Sequence, residues 1–136
     1  MSADSDPVMI DTSVWVELLR HPQTSLRAEI DALVGDGRAR LCGAIVAELM
    51  QGAMTSKDMT AVEGLAQSIP NLKAEDVVWR EAGKLGQRLR LKGVSVGLLD
   101  CYLAAVALEH RCQIMSLDKH FLMIAKHTDL RLVPLI

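Results

Sequence analysis

Apolar positions along the chain follow two rhythms. Short unbroken apolar runs of strand length alternate with longer stretches where apolar residues recur every three or four positions, the spacing of one helix face. Val8-Met9-Ile10 follows Pro7 and predicts a buried strand that ends at Asp11. Thr12 or Ser13 is placed to cap a helix running to Arg20, and His21-Pro22 stops it. Leu26, Ile30, Leu33 and Val34 predict a second helix, ended by Gly35-Asp36-Gly37. Arg40 to Ala44 predicts a strand, and Ile45 to Gln51 an apolar helix that Gly52 closes. Met59, Val62, Leu65 and Ile69 predict an amphipathic helix ending at Pro70-Asn71. Val78, Ala82, Leu85 and Leu89 predict another, from Glu75 to Lys92, stopped by Gly93. Cys101 to Leu108 is apolar on nearly every face, so that helix is expected to be buried. Gln113 to Leu117 predicts a strand, Lys119 to Lys126 a short helix, and Leu130 to Leu135 a final edge strand that tolerates Pro134.

Strands alternating with helices predict an α/β fold, a small parallel sheet flanked by helices on both faces in three layers. A chain of 136 residues fits one domain over its whole length, with residues 1–7 expected to be a flexible N-terminal extension. Aromatic residues are only 3% of the chain, so the core must be aliphatic, with Trp15 expected inside it. The three cysteines, Cys42, Cys101 and Cys112, have no C-x-x-C spacing and give no disulfide or zinc framework. Each lies among apolar neighbours, as a reduced structural thiol would. The N-terminus has no signal-peptide pattern, and no run reaches the length of a membrane span. The expected location is the cytoplasm.

A net charge of −2 excludes a protein that coats nucleic acid non-specifically. Any contact with nucleic acid must come from a local basic patch. Arg80, Lys84 and Arg88 recur every four residues opposite the apolar stripe of their helix. They are either a rail for phosphates or a solvated helix face. Met50, Met54 and Met59 lie around a turn between two helices, where they either fill the core or present an adaptable surface to a partner.

Four carboxylates stand out. Asp11 ends the first strand, and Asp118 follows the strand before it. Parallel α/β sheets bind ligands beyond the carboxyl ends of their strands, so these two are expected to share a crevice. Glu48 lies inside Ile45-Val46-Ala47-Glu48-Leu49-Met50, and Asp100 opens the apolar helix. Singly, Asp11 and Asp100 can be read as helix caps, Glu48 as an acid reaching solvent, and Asp118 as a turn residue. Acids are almost never buried unpaired, and one shared crevice accounts for all four together. A cluster with oxygen donors and no His or Cys suits Mg²⁺ or Mn²⁺, which can activate water and stabilise charge on a phosphate. His21, His110, His120 and His127 form no metal-binding spacing and are expected at the surface. No G-x-S-x-G elbow, P-loop or G-x-G-x-x-G occurs.

At four places the chain resembles the PIN-domain ribonucleases, and in length the VapC-type toxins among them. Met9-Ile10-Asp11-Thr12-Ser13-Val14-Trp15 is similar to their opening motif, and Ala47-Glu48-Leu49-Met50-Gln51-Gly52 to their second. Leu99-Asp100-Cys101-Tyr102-Leu103-Ala104-Ala105 resembles the third. Ser116-Leu117-Asp118-Lys119-His120-Phe121 resembles the fourth, with Ser116 where Thr is usual. The resemblance implies that Asp11, Glu48, Asp100 and Asp118 hold Mg²⁺ or Mn²⁺ and carry catalysis, with the Ser116 hydroxyl supporting them. It also implies an RNA substrate, a homodimer and a cognate antitoxin protein. Three alternatives stay open: a housekeeping PIN nuclease without an antitoxin, a receiver-like signalling module, and a non-catalytic interaction domain.

Overall fold

The computed structural model describes residues 5–135. β1 (Val8–Ile10) is wholly buried and leads into α1 (Thr12–Arg20) and α2 (Arg27–Gly35). β2 (Ala39–Cys42) is followed by α3 (Gly43–Gly52) and α4 (Ser56–Ser68). β3 (Asn71–Leu72) precedes α5 (Asp76–Leu91) and α6 (Leu98–Glu109). β4 (Gln113–Met115) and α7 (His120–Ala125) complete the order.

The strands form one parallel sheet in the order β3-β2-β1-β4. Strand order moves outward from β1 to β3 and then jumps back across the sheet to β4. Right-handed crossovers therefore place α1 to α4 on one face and α5 and α6 on the other, the expected three layers. The core runs through both faces. Trp15, Met9, Ile10, Leu41, Ile45, Leu103, Ile114 and Phe121 are among its largest fully buried side chains. Trp15 also donates its ring N–H to the Ile10 carbonyl at 3.0 Å, which satisfies the one polar atom it brings inside. Cys101 to Ala107 are buried without interruption, as the apolar pattern of that helix requires. Its partner α5 approaches closely at Gly86, where an added Cβ would lie 3.5 Å from Cys101 Sγ. Gly93, at φ +81°, turns the chain out of α5 in a conformation other residues rarely adopt. All three cysteines are buried and unbridged, and burial pushes each thiol's pKa up.

Helix ends shift by up to three residues and β4 stops at Met115, short of the expected Leu117; four further differences have a local reason. The helix after β1 is capped by Asp11, not by Thr12 or Ser13, and Asp11 makes no side-chain cap bond. β2 ends at Cys42 because Gly43 and Ala44 already belong to α3. β3 is only two residues long, too short to show a period, and follows Pro70, whose carbonyl accepts from the Leu41 N–H. The expected last strand contributes a single bridge, Leu132 against Ile114, flanked by Ile114 N–H to the Arg131 carbonyl and Val133 N–H to the Ile114 carbonyl. Pro134 has no N–H to extend that ladder. Of the expected N-terminal extension, residues 1–4 lie outside the described residues. Asp6 receives Arg38 on its carbonyl and Arg131 on its carboxylate. Among the described residues no helix is long and apolar enough to cross a membrane.

Candidate active site

The carboxyl ends of β1 and β4 lie side by side, since Ile10 pairs with Met115 and the Asp11 N–H donates to the Met115 carbonyl at 2.9 Å. This register brings Asp11 beside the segment that holds Ser116 and Asp118. Asp11 is 7% exposed, a buried carboxylate that needs donors. Ser13 and Ser116 supply them, each hydroxyl donating to Asp11 Oδ2 at 2.8 Å. The same two hydroxyls accept in turn. Leu117 N–H donates to Ser13 at 3.0 Å and Asp118 N–H to Ser116 at 2.9 Å. A closed network thus fixes the first acid against the loop carrying the fourth.

Glu48 projects from the second turn of α3, and Thr12 at the start of α1 donates to its Oε1 at 2.9 Å. Asp100 lies in the first turn of α6. A helix N-terminus favours negative charge there. His120, at the start of α7, places Nδ1 2.9 Å from Asp100 Oδ2 and 3.2 Å from Asp118 Oδ1. The His120 backbone N–H also donates to Asp118 Oδ1 at 2.9 Å.

All four sequence-predicted acids are therefore brought to one end of the sheet. Their proximity is legible in the charge coupling. The pKa of Glu48 is raised, first by burial and further by Asp11 and Asp100, against a lowering by the Thr12 hydroxyl. That of Asp100 is also raised, first by burial and then by Asp118 and Asp11, while His120 lowers it. Repulsion of this kind is what a bound cation relieves. The donor set fits a hard divalent ion, with four carboxylates and hydroxyl-held oxygens. Asp100, Asp118 and His120 can each offer a donor atom with all three within 4.8 Å of one another.

Three contributors escaped the sequence reading. Thr12 and Ser13 looked like helix caps but orient Glu48 and Asp11. His120 lies at the surface as expected, its side chain 50% exposed, and from there it bridges two of the acids. The only signal for it was its position two residues after Asp118, next to buried Phe121.

The other candidates lie elsewhere. Arg80, Lys84 and Arg88 are exposed on α5, and Lys84 pairs with Glu81 at 3.4 Å. Met50 is half-buried against the core, whereas Met54 is 88% exposed and Met59 is exposed more modestly. Met54 lines a groove with Val16, Leu19, Leu49 and Val62, and Glu48 stands on its wall.

Comparison with known proteins places these features in a wider set. The family model described as PIN domain matches residues 8–127. Ribonuclease VapC11 of Mycobacterium tuberculosis is 32% identical over 128 residues, which covers 91% of this chain and 96% of that protein. VapC ribonuclease Mb1587 of Mycobacterium bovis matches equally, at 32% identity with 91% and 96% coverage. Among solved structures, VapBC2 from Rickettsia felis bound to a promoter DNA fragment superposes with a TM-score of 0.80 at 15% identity, covering 95% of this chain and 98% of that one. DNA-bound VapBC from Salmonella typhimurium gives 0.79 at 20% identity, with 94% and 97% covered. At these identities the two structures speak for the fold.

Proposed function

Because the chain belongs to the PIN domain family, we propose that it hydrolyses RNA phosphodiester bonds as the toxin of a toxin–antitoxin pair, using Mg²⁺ or Mn²⁺. The observation that carries this reading is the convergence of Asp11, Glu48, Asp100 and Asp118, two of them held above their ordinary pKa by burial and mutual repulsion. A divalent ion, when bound, lowers the pKa of water and offsets charge on a phosphate oxygen. The chain's own residues prepare that chemistry. Ser13 and Ser116 hold Asp11 with one oxygen fully engaged, and Thr12 does the same for one oxygen of Glu48. Asp118 is fixed by the His120 N–H. Asp11, Glu48 and Asp118 thus enter the site already oriented, so little conformational entropy is lost on binding ion and substrate.

The antitoxin is seated in the groove beside Glu48, where exposed Leu19 and Met54 offer adaptable apolar area. A cationic side chain from such a partner would meet the acids directly. The resemblance to VapC-type toxins also supports a homodimer as the active unit. The test begins with protein purified free of the neighbouring gene's product. It should cut structured RNA in Mg²⁺ or Mn²⁺ and fall silent in EDTA, and adding back the partner should stop cleavage. Full activity in EDTA overturns the metal reading. A neighbouring product that neither binds nor inhibits leaves a housekeeping nuclease.

Arg80, Lys84 and Arg88 form the phosphate rail in this reading. Changing all three to Ala should weaken RNA binding and reduce the slope of log K against log salt by up to about 2, since three fewer phosphates are neutralised. An unchanged slope in a filter-binding titration removes the rail.

A further inference from the structure

The four acids do not share one kind of support. Asp11 and Glu48 are held by hydroxyls from Thr12, Ser13 and Ser116, an all-oxygen arrangement. Asp100 and Asp118 instead face a nitrogen, His120 Nδ1. Building on the proposed metal reading, we propose that His120 is a ligand of the ion held by Asp100 and Asp118. Its nitrogen shifts that position's preference from Mg²⁺ towards first-row transition ions.

The geometry favours ligation over a passing surface contact. Neighbouring ligands of an octahedral ion with bonds of about 2.1 Å stand about 3.0 Å apart. Nδ1 stands 2.9 Å from Asp100 Oδ2 and 3.2 Å from Asp118 Oδ1, close to the spacing of an adjacent corner to each, and the three donors lie within 4.8 Å of one another. The ring is also anchored. The His120 backbone N–H is tied to Asp118 at 2.9 Å, and the next residue, Phe121, is 1% exposed in the core. An imidazole placed this way costs little to organise around an ion. Imidazole suits transition ions, whereas Mg²⁺ prefers oxygen and gives up its water reluctantly. The expected result is therefore a selectivity change, not a general loss of binding.

The test uses the purified, partner-free chain and each metal alone. Calorimetric titration with Mg²⁺, Mn²⁺ and Co²⁺ is run on wild type, His120→Ala and His120→Asn. Both variants should weaken Co²⁺ binding about tenfold or more while Mg²⁺ changes by less than about threefold. The visible absorption of bound Co²⁺ should also shift between wild type and variants. Wild type alone supplies a check that no variant's folding can blur, since pulsed EPR of bound Mn²⁺ should show coupling to an imidazole nitrogen. Equal weakening of all three ions would make His120 an orienting residue and overturn the proposal. So would tighter binding in the variants, which would make the ring a counter-ion that occupies the site. Ion binding without a nitrogen signal overturns the role of His120 alone. A folded wild-type chain that binds none of the ions overturns the metal reading beneath it as well.

Discussion

Asp11→Asn should lower RNA cleavage by about a thousandfold while leaving the fold in place. Asp11 is the most buried of the four acids and the one nearest the centre of the sheet, at the end of β1. Its Oδ2 accepts from Ser13 and Ser116. The amide oxygen of Asn can accept the same two bonds, so the network that ties β1 to the loop after β4 survives. What disappears is a negative charge facing the ion. A bound metal contributes several kcal/mol of charge stabilisation in the transition state, and each 1.36 kcal/mol is tenfold in rate. Losing about 4 kcal/mol of it gives the expected factor. Single-turnover cleavage at saturating Mg²⁺, beside a melting curve of the same preparation, separates chemistry from folding. A folded Asp11→Asn protein with activity within tenfold of wild type would remove Asp11 from the catalytic set.

Metal-free protein should lose stability as pH rises through the weakly acidic range. Unfolded, Glu48 and Asp100 titrate near their ordinary values of 4.5 and 3.8, and in the folded state both pKa values are raised. Between the unfolded and folded values the native state holds protons that the unfolded chain has released. Stability therefore falls with increasing pH across that window, and the penalty is complete above the folded values. In EDTA the midpoint should be higher near pH 5 than near pH 7. Glu48→Gln removes one repelling charge and can still accept from Thr12. It should melt higher than wild type at neutral pH and show a shallower pH slope. For a domain of this size each kcal/mol relieved reads as roughly 3–5 °C. Millimolar Mg²⁺ should raise the wild-type midpoint by mass action and raise that of the variant less. If Glu48→Gln melts lower than wild type in EDTA with an unchanged slope, repulsion is not what burial of these acids costs.

The parts of this architecture that could be read from the sequence are those fixed by period and by composition. Val8-Met9-Ile10 is apolar at three consecutive positions because β1 is covered on both faces. Val78, Ala82, Leu85 and Leu89 recur at helical spacing because one face of α5 is buried. The acids stood out because carboxylates rarely sit inside apolar runs. What the sequence hid depends on tertiary register. Thr12 and Ser13 look like capping residues locally, and only the pairing of β1 with β4 shows that Ser13 reaches Leu117. β3, with two residues, has no period to detect. His120 has Asp118 two residues before it, but its other partner, Asp100, is twenty residues away, so its bridging place is not visible locally. The last strand fails on its own terms, since its alternation is real but its ladder stops at one bridge.

The pairing of β1 with β4 also bears on when the protein becomes dangerous. Asp11 is synthesised early, yet its neighbours Met115, Ser116 and Asp118 come more than a hundred residues later in a chain of 136. A strand pairing across that separation must wait until both segments have left the ribosome, and long-range pairing of this kind is slow to form. A partial chain can fold its early helices, but it holds Asp11 without the hydroxyl of Ser116 and without the fourth acid. A chain that stops before β4 should therefore cut no RNA, and cleavage should begin only once β4 and the loop after it are in place. That interval belongs to whatever protein is present to meet it.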